Sequence, residues 1–285
     1  MKKSFISVNG RGSEKKLRVF LIALKLVFAA VLFFLVSCVT FPNFSGFQLP
    51  EELPVYEQVG WKYAGDGIQR YDYKNFKMDY HVIRIDLSRN WKVVSYPQDE
   101  GWIKPMSVSV FAKRNGCDVA INTNPFLFTS RVIWWSKIKP IGICRTDYKD
   151  VSSVHPSFCA LAFYEENGSL RAEIEDSQKE LIKKNPVHAY GGFHTVLRNG
   201  VIKEFERIND VRSAAGIADE GKTLYLLVGK NLSYMDTAEI FRSLGCDSAM
   251  EFDGGSSSQM SLYGKPVFFN FPPRNISAIM GLKRG

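Results

Sequence analysis

The first sustained apolar pattern in the chain is the unbroken run Leu26 to Val36, which follows a segment carrying Lys2, Lys3, Arg11, Lys15, Lys16, Arg18 and Lys25. A charged stretch followed by a short hydrophobic one is the layout of an export signal. The run falls well short of the roughly 20 residues that a spanning helix needs. It closes on Leu35-Val36-Ser37-Cys38, a lipobox pattern in which a small residue precedes a cysteine that is exposed by cleavage and carries lipid. A longer anchor helix starting near Leu17 would bury Lys25, at roughly 2.5 to 3.5 kcal/mol on insertion scales. Residues 1–37 therefore read as a lipoprotein signal peptide and Cys38 as the lipidation site. The remainder is expected on the periplasmic or cell-surface side of a cell envelope, held to a membrane through its lipid anchor.

From Cys38 to Val55 the pattern loses periodicity and carries Pro42, Gly46, Pro50 and Pro54, the composition of a tether (residues 38–55). Alternating apolar and β-branched positions then predict strands over His81–Leu87 and Trp91–Tyr96, with Ser88-Arg89-Asn90 as a hairpin turn. Ser107–Asn115 has helical spacing and stops at Gly116, and Asp118–Asn122 reads as a short buried strand. Cys159–Glu165 and Leu170–Ile174 predict two strands around Asn167-Gly168, and Thr195–Ile202 a hairpin turning at Asn199-Gly200. Thr223–Val228 is an apolar strand, and Asp236-Thr-Ala-Glu239 has the spacing of a capping box opening a helix that ends at Gly245. Strand signals outnumber helix signals, so residues 56–285 are expected to form a single large α+β domain, with mixed or antiparallel sheets flanked by a few helices.

Composition narrows the partners. The net charge of +8 is concentrated in the leader, because from Cys38 onward 30 Lys and Arg face 28 Asp and Glu. With no basic stripe interleaved with aromatics, nucleic acid is disfavoured. The 248 residues from Cys38 suffice for a sizeable core. Cys117, Cys144, Cys159 and Cys246 match neither a CxxC pair nor a zinc framework and read as buried thiols. The four histidines lack metal-binding spacing, which argues against a transition-metal cluster.

Helix, Gly116-Cys117-Asp118, strand recurs as helix, Gly245-Cys246-Asp247, strand. Counting from each cysteine sets Asn122 opposite Glu251 and Asn124 opposite Asp253, and residues two apart on a strand share a face. In the second copy an apolar strand ends in Glu251 and Asp253, then Gly254, Gly255 and Ser256. Successive amides in a glycine turn can cradle an anion, and a carboxyl beside it can move a proton. Arg212, Ser213 and Arg274 are candidates for holding a phosphate, and Gly192 and His194, in a second glycine-rich element, Gly191-Gly192-Phe193-His194, are further candidates for contacting the substrate, His194 as an acid or hydrogen-bond donor.

In order, these segments resemble the phosphodiester glycosidase family. Ala120-Ile-Asn-Thr-Asn-Pro-Phe126 stands where the family has an Ala-Ile-Asn-Gly-Gly-Phe-Phe-like segment, with Thr123-Asn124-Pro125 departing from it. Ala189–Gly200, Arg212-Ser-Ala-Ala-Gly216, Phe252-Asp-Gly-Gly-Ser-Ser257 and Arg274-Asn-Ile-Ser-Ala-Ile-Met-Gly281 are similar to its remaining motifs. The resemblance implies hydrolysis of a sugar-1-phosphodiester at the glycosidic carbon. Asp253 and Glu251 would be its carboxylate pair, and Asn122 would orient a sugar hydroxyl or the attacking water. Gly254, Gly255 and Ser256 would cradle the phosphate, and Arg212 and Arg274 would neutralise it. A divalent cation on Asp253 is compatible with this and not demanded. The competing expectation is a non-catalytic envelope lipoprotein that binds anionic glycans.

Overall fold

A computed structural model describes residues 60–128, 137–268, 270 and 274–285, all within one compact unit. The signal peptide, Cys38 and the tether fall outside the described residues. No helix among those described is long and apolar enough to cross a membrane.

Three sheets enclose the core. The largest runs in the order Lys62–Gly65, Ile68–Lys74, Asp79–Asp86, Thr223–Leu232, Asp210–Ala218, Ser248–Glu251, Thr195–Arg198, Val201–Ile202. A second orders Ser169–Glu175, Cys159–Glu166, His188–Gly192, Cys144–Thr146, Lys149–Ser152, and a third Lys265–Pro266, Met260–Leu262, Val119–Asn122, Ile279–Arg284, Trp91–Tyr96. Phe126–Phe128 and Ile138–Pro140 form a separate two-stranded ribbon. Every strand pairing among the described residues is antiparallel. Inner faces of all three sheets meet in one cluster, to which Ile83, Leu226 and Met250, then Leu161 and Tyr190, then Ile121 and Met280 contribute.

Only three α-helices appear among the described residues, Val108–Asn115, Gln178–Lys183 and Tyr234–Ser243, so the fold is largely β rather than balanced α+β. Ser107 caps the first by accepting from the Val110 amide (3.4 Å), and Gly116 ends it in the left-handed conformation at φ 65°. The turns at Asn167-Gly168 and Asn199-Gly200 form as predicted, with positive φ at all four residues. Two expectations fail. Asp79–Asp86 and Trp91–Tyr96 do not make a hairpin, because Ser88-Arg89-Asn90 carries the chain from the first sheet to the third. The capping box uses Ser233 and Asp236, not Asp236 and Glu239, and Glu239 instead pairs with Arg207 at 2.9 Å.

The sequence echo is a structural repeat. After each helix a left-handed glycine (Gly116, Gly245) turns the chain, and a buried cysteine amide donates back to the helix, Cys117 to Ala112 O and Cys246 to Phe241 O. The strands that follow pair with equivalent partners, Ala120 opposite Gly281 and Ala249 opposite Gly216. Both partner glycines sit under their helix. A Cβ on Gly281 would come within 2.6 Å of Cys117 Sγ and 3.0 Å of Phe111, and one on Gly216 within 2.8 Å of Cys246 Sγ and 2.5 Å of Phe241. All four described cysteines are free and buried, and burial pushes the Cys117 thiol up to about 11 and those of Cys144 and Cys159 to about 12. Gly216→Ala and Gly281→Ala should each lower stability by about 1 to 3 kcal/mol, the usual cost of overpacking. Urea unfolding of the two variants checks this, and an unchanged midpoint in both would contradict the close helix–strand approach.

Candidate active site

The site is built on the segment that leaves Ser248–Glu251. The Phe252 amide donates to Ser213 O (2.8 Å) and the Asp253 amide to Thr123 O (2.8 Å). Asn122 then closes the turn: Nδ2 donates to Asp253 O (2.7 Å), while Oδ1 accepts from Ser213 Oγ (2.7 Å) and the Gln259 amide (2.9 Å). With both carbonyl lone pairs engaged and 1% of its surface exposed, Asn122 is a positioning residue. The expected contact to a sugar hydroxyl or water is replaced by contacts to the protein's own turn. Ser213, wholly buried, belongs to the same clamp.

Past Asp253 the backbone tightens. A Cβ on Gly254 would press on Val211 O at 2.9 Å, and Gly255 adopts φ 58° as it opens the 3-10 turn Gly255–Ser257. Among the described residues, no protein acceptor takes the amide hydrogens of Gly255 and Ser256. Arg274 reaches the turn from the other side, donating from Nη1 to Ser256 Oγ (3.2 Å). Its guanidinium lies against the rings of Phe126 and Phe128, at 4.8 and 4.9 Å from their centroids. Asp253 is half-buried, and that burial raises its carboxyl to about 6, against the pull of the Ser257 hydroxyl and the Arg274 charge. It is therefore a group that exchanges a proton near neutrality.

Glu251 does not share this position. It is 0% exposed, and its two oxygens accept no hydrogen bond, the nearby Thr237 hydroxyl donating to Ser233 O instead (3.1 Å). Burial pushes its carboxyl up to about 8, opposed by the charge of Arg212 and reinforced by that of Asp210. Glu251 is thus neutral at pH 7, and the expected pair of working carboxylates, Glu251 with Asp253, is separated into a hidden member and an accessible one. Arg212 is held in front of it by Nε to Leu232 O (3.0 Å), by Nη2 to Ile208 O (2.7 Å) and by the Tyr234 ring at 4.1 Å. His194 is exposed beside Tyr234 (ring centroids 5.6 Å), and burial of its ring followed by the Lys203 charge lowers its pKa. Gly192 faces the protein, not a ligand, since a Cβ there would meet Met250 and the Glu251 carbonyl.

Two residues enter that no motif announced. Asp210 is exposed at the start of Asp210–Ala218, its Oδ2 3.8 Å from where a Gly255 Cβ would lie. Tyr234 is the surface on which Arg212 rests. A register shift between Asp210 and Arg212 re-aims that strand end, and the sequence shows no sign of it.

The profile of the phosphodiester glycosidase family matches residues 115–282. The chain belongs to this family. The solved catalytic domain of zebrafish N-acetylglucosamine-1-phosphodiester alpha-N-acetylglucosaminidase, auto-inhibited by its pro-peptide, is similar in fold. Its TM-score is 0.59 at 19% identity, over 76% of this chain and 82% of that one. A hypothetical protein from Synechocystis aligns with TM-score 0.62 at 13% identity, over 81% of this chain and 64% of that one. No curated protein sequence matches.

Thr123-Asn124-Pro125, where the chain departs from the family's pattern, has a structural account. Thr123 is fully buried and its hydroxyl donates to Asn124 Oδ1 (3.2 Å), while Asn124 Nδ2 donates to Ile141 O (3.1 Å) and Ile143 O (2.8 Å) and so secures a neighbouring loop. Among the described residues no group of three or more His, Cys, Asp or Glu is arranged to hold a metal ion.

Because the Glu251 carboxyl titrates at about 4.5 unfolded and about 8 folded, the folded state binds the extra proton between those values, and stability falls as pH rises through them. Glu251→Gln removes this loss. The difference in melting temperature between variant and wild type should shift in the variant's favour from pH 4.5 to pH 8 and level off above, and a difference independent of pH would refute a buried, neutral Glu251.

Proposed function

We propose that the protein hydrolyses a sugar-1-phosphodiester at the anomeric carbon, in envelope or extracellular glycans, with Asp253 as the proton-transferring group. One observation carries the reading. A half-buried carboxyl poised near neutrality lies beside the amides of Gly255 and Ser256, which no described residue engages, and Arg274 bridges to the same turn. Membership in a family of phosphodiester glycosidases supports hydrolysis as the reaction class. The name of the zebrafish relative supports a sugar-1-phosphodiester as the substrate class. The lipobox and leader support the location, at a membrane surface outside the cytoplasm.

Water attacks the anomeric carbon and gives its proton to Asp253. The bond from that carbon to the phosphate oxygen breaks, and its electrons leave with a phosphomonoester. A phosphate oxygen already stabilises negative charge, so the leaving group needs cations and amides more than a proton. Arg274, Arg212 and the Gly255 and Ser256 amides provide them. Asp210 is the second accessible carboxyl, suited to stabilising positive charge developing on the sugar ring. Glu251, neutral behind Arg212, leaves that guanidinium's charge uncompensated for the substrate.

This assignment fixes the pH profile. Asp253 must be ionised to accept the proton, so kcat/KM should rise with pH through about 6. Ionisation of Glu251 places a negative charge beside Arg212, so kcat/KM should fall again above about 8. Asp253→Asn should lower turnover of a methyl phosphodiester of N-acetylglucosamine 1-phosphate by about 100-fold or more, the scale of lost acid–base catalysis. In Glu251→Gln activity should persist and the alkaline fall disappear. Substrate binding without sugar release, in wild type and Asp253→Asn alike, would instead support a non-catalytic protein that binds anionic glycans.

A further inference from the structure

An unbroken series of ring contacts leads away from Arg212. The Tyr234 ring under its guanidinium meets Phe205 (5.2 Å) and His194 (5.6 Å); His194 meets Phe193 (6.4 Å), and Phe193 meets Phe158 edge-on (5.3 Å). His155 stacks on Phe158 at 3.8 Å. None of the six rings is buried away: His194 is exposed and the other five are half-buried. The band is continuous with the candidate site through its backbone, since the Phe193 amide donates to Glu251 O (2.8 Å) and the Glu251 amide to His194 O (2.9 Å).

The far end of the band is fixed from beneath. Buried Gln178 accepts from the His155 and Ile143 amides (2.8 Å each) and donates to Cys159 O (2.9 Å), which holds the backbone on both sides of Phe158. Rings whose positions are set before a ligand arrives lose little entropy on binding. The chemistry along the band alternates, with half-buried phenyl rings interrupted by two imidazoles, a phenol and the Lys203 ammonium near His194. A pyranose has the matching alternation, with apolar C–H faces for the rings and hydroxyl edges for the polar groups. An acyl chain would leave those polar groups without partners.

We infer that this aromatic band is a row of sugar subsites continuing from the candidate site, so that the phosphodiester substrate carries an oligosaccharide and not a single sugar. The inference rests on reading the Asp253 turn as the active site, and it is tested by binding alone, so that its failure and failure of the hydrolase reading are distinguishable. The wild-type protein is first screened on an array of bacterial and host glycans. The best-bound tetrasaccharide and its terminal monosaccharide are then titrated calorimetrically into wild type, Phe158→Leu, Phe205→Leu and Phe76→Leu. The leucines retain apolar volume while removing the ring face, and Phe76, 91% exposed on another hairpin, is the control.

The tetrasaccharide should bind at least tenfold more tightly than the monosaccharide. Each substitution in the band should weaken it by about three- to tenfold, the scale of one aromatic contact, and Phe76→Leu should match wild type. Absence of any bound glycan, equal binding of the two sugars, or wild-type affinity in both band variants would overturn the inference. So would binding of a dodecyl phosphodiester as tight as the tetrasaccharide's and equally sensitive to the substitutions. None of these outcomes bears on whether Asp253→Asn abolishes hydrolysis.

Discussion

The architecture of the site depends on the side-chain amide of Asn122. It grips Asp253 O and the Gln259 amide, 131 and 137 positions away in the chain, and with them the Ser213 hydroxyl of a third segment. Those three bonds tie the central strand of one sheet to the Asp253 turn and to a strand of the largest sheet. In a buried setting each group would lose about 1 to 3 kcal/mol if its partner were removed. The turn's glycines supply the shape and the amide supplies the reason it stays in one place. Gln259 extends the bracing, accepting from the Val108 amide at the first helix and donating to Arg274 O.

Around this frame the protein treats two neighbouring acids differently. Asp253 and Glu251 are two residues apart, yet one meets solvent at a turn and the other is sealed beneath Arg212 and Tyr234. Burial dominates both proton affinities, and the accessible acid ends near 6 while the sealed one ends near 8. The site thus sets the guanidinium groups of Arg212 and Arg274 beside two accessible carboxyls, Asp253 and Asp210, of which burial tunes the first to exchange a proton near neutrality, an arrangement suited to the anionic substrate proposed above.

What the sequence made legible was whatever local chemistry determines. Ser107, Gly116, Asn167-Gly168 and Asn199-Gly200 mark boundaries because conformation at those positions follows from the residues themselves. Sheet membership is a long-range property, and so Ser88-Arg89-Asn90, with every local sign of a hairpin, instead joins two sheets. The same division runs through the site. The Asp253 turn and its arginines stood out as residue types in order. That Asn122 points at the protein and not at a ligand, or that Glu251 is closed off, depends on what lies across from them. Asp210 and Tyr234 left no trace, because an acid before a strand and a tyrosine after a serine are ordinary until a bulge and a guanidinium give them a setting.

The repeated helix–glycine–cysteine–strand unit divides labour between its copies. The position that ends as Asn122 in one copy ends as Glu251 in the other, and two residues past each strand end stand Asn124 in one and Asp253 in the other. Amides occupy both places in the first copy and acids both places in the second, so one half has become the vice and the other the tool it grips. An exchange of side chains between the two would strip Asp253 O, Ile141 O and Ile143 O of the amide hydrogens that hold them, so the division of labour is also what keeps the two halves joined.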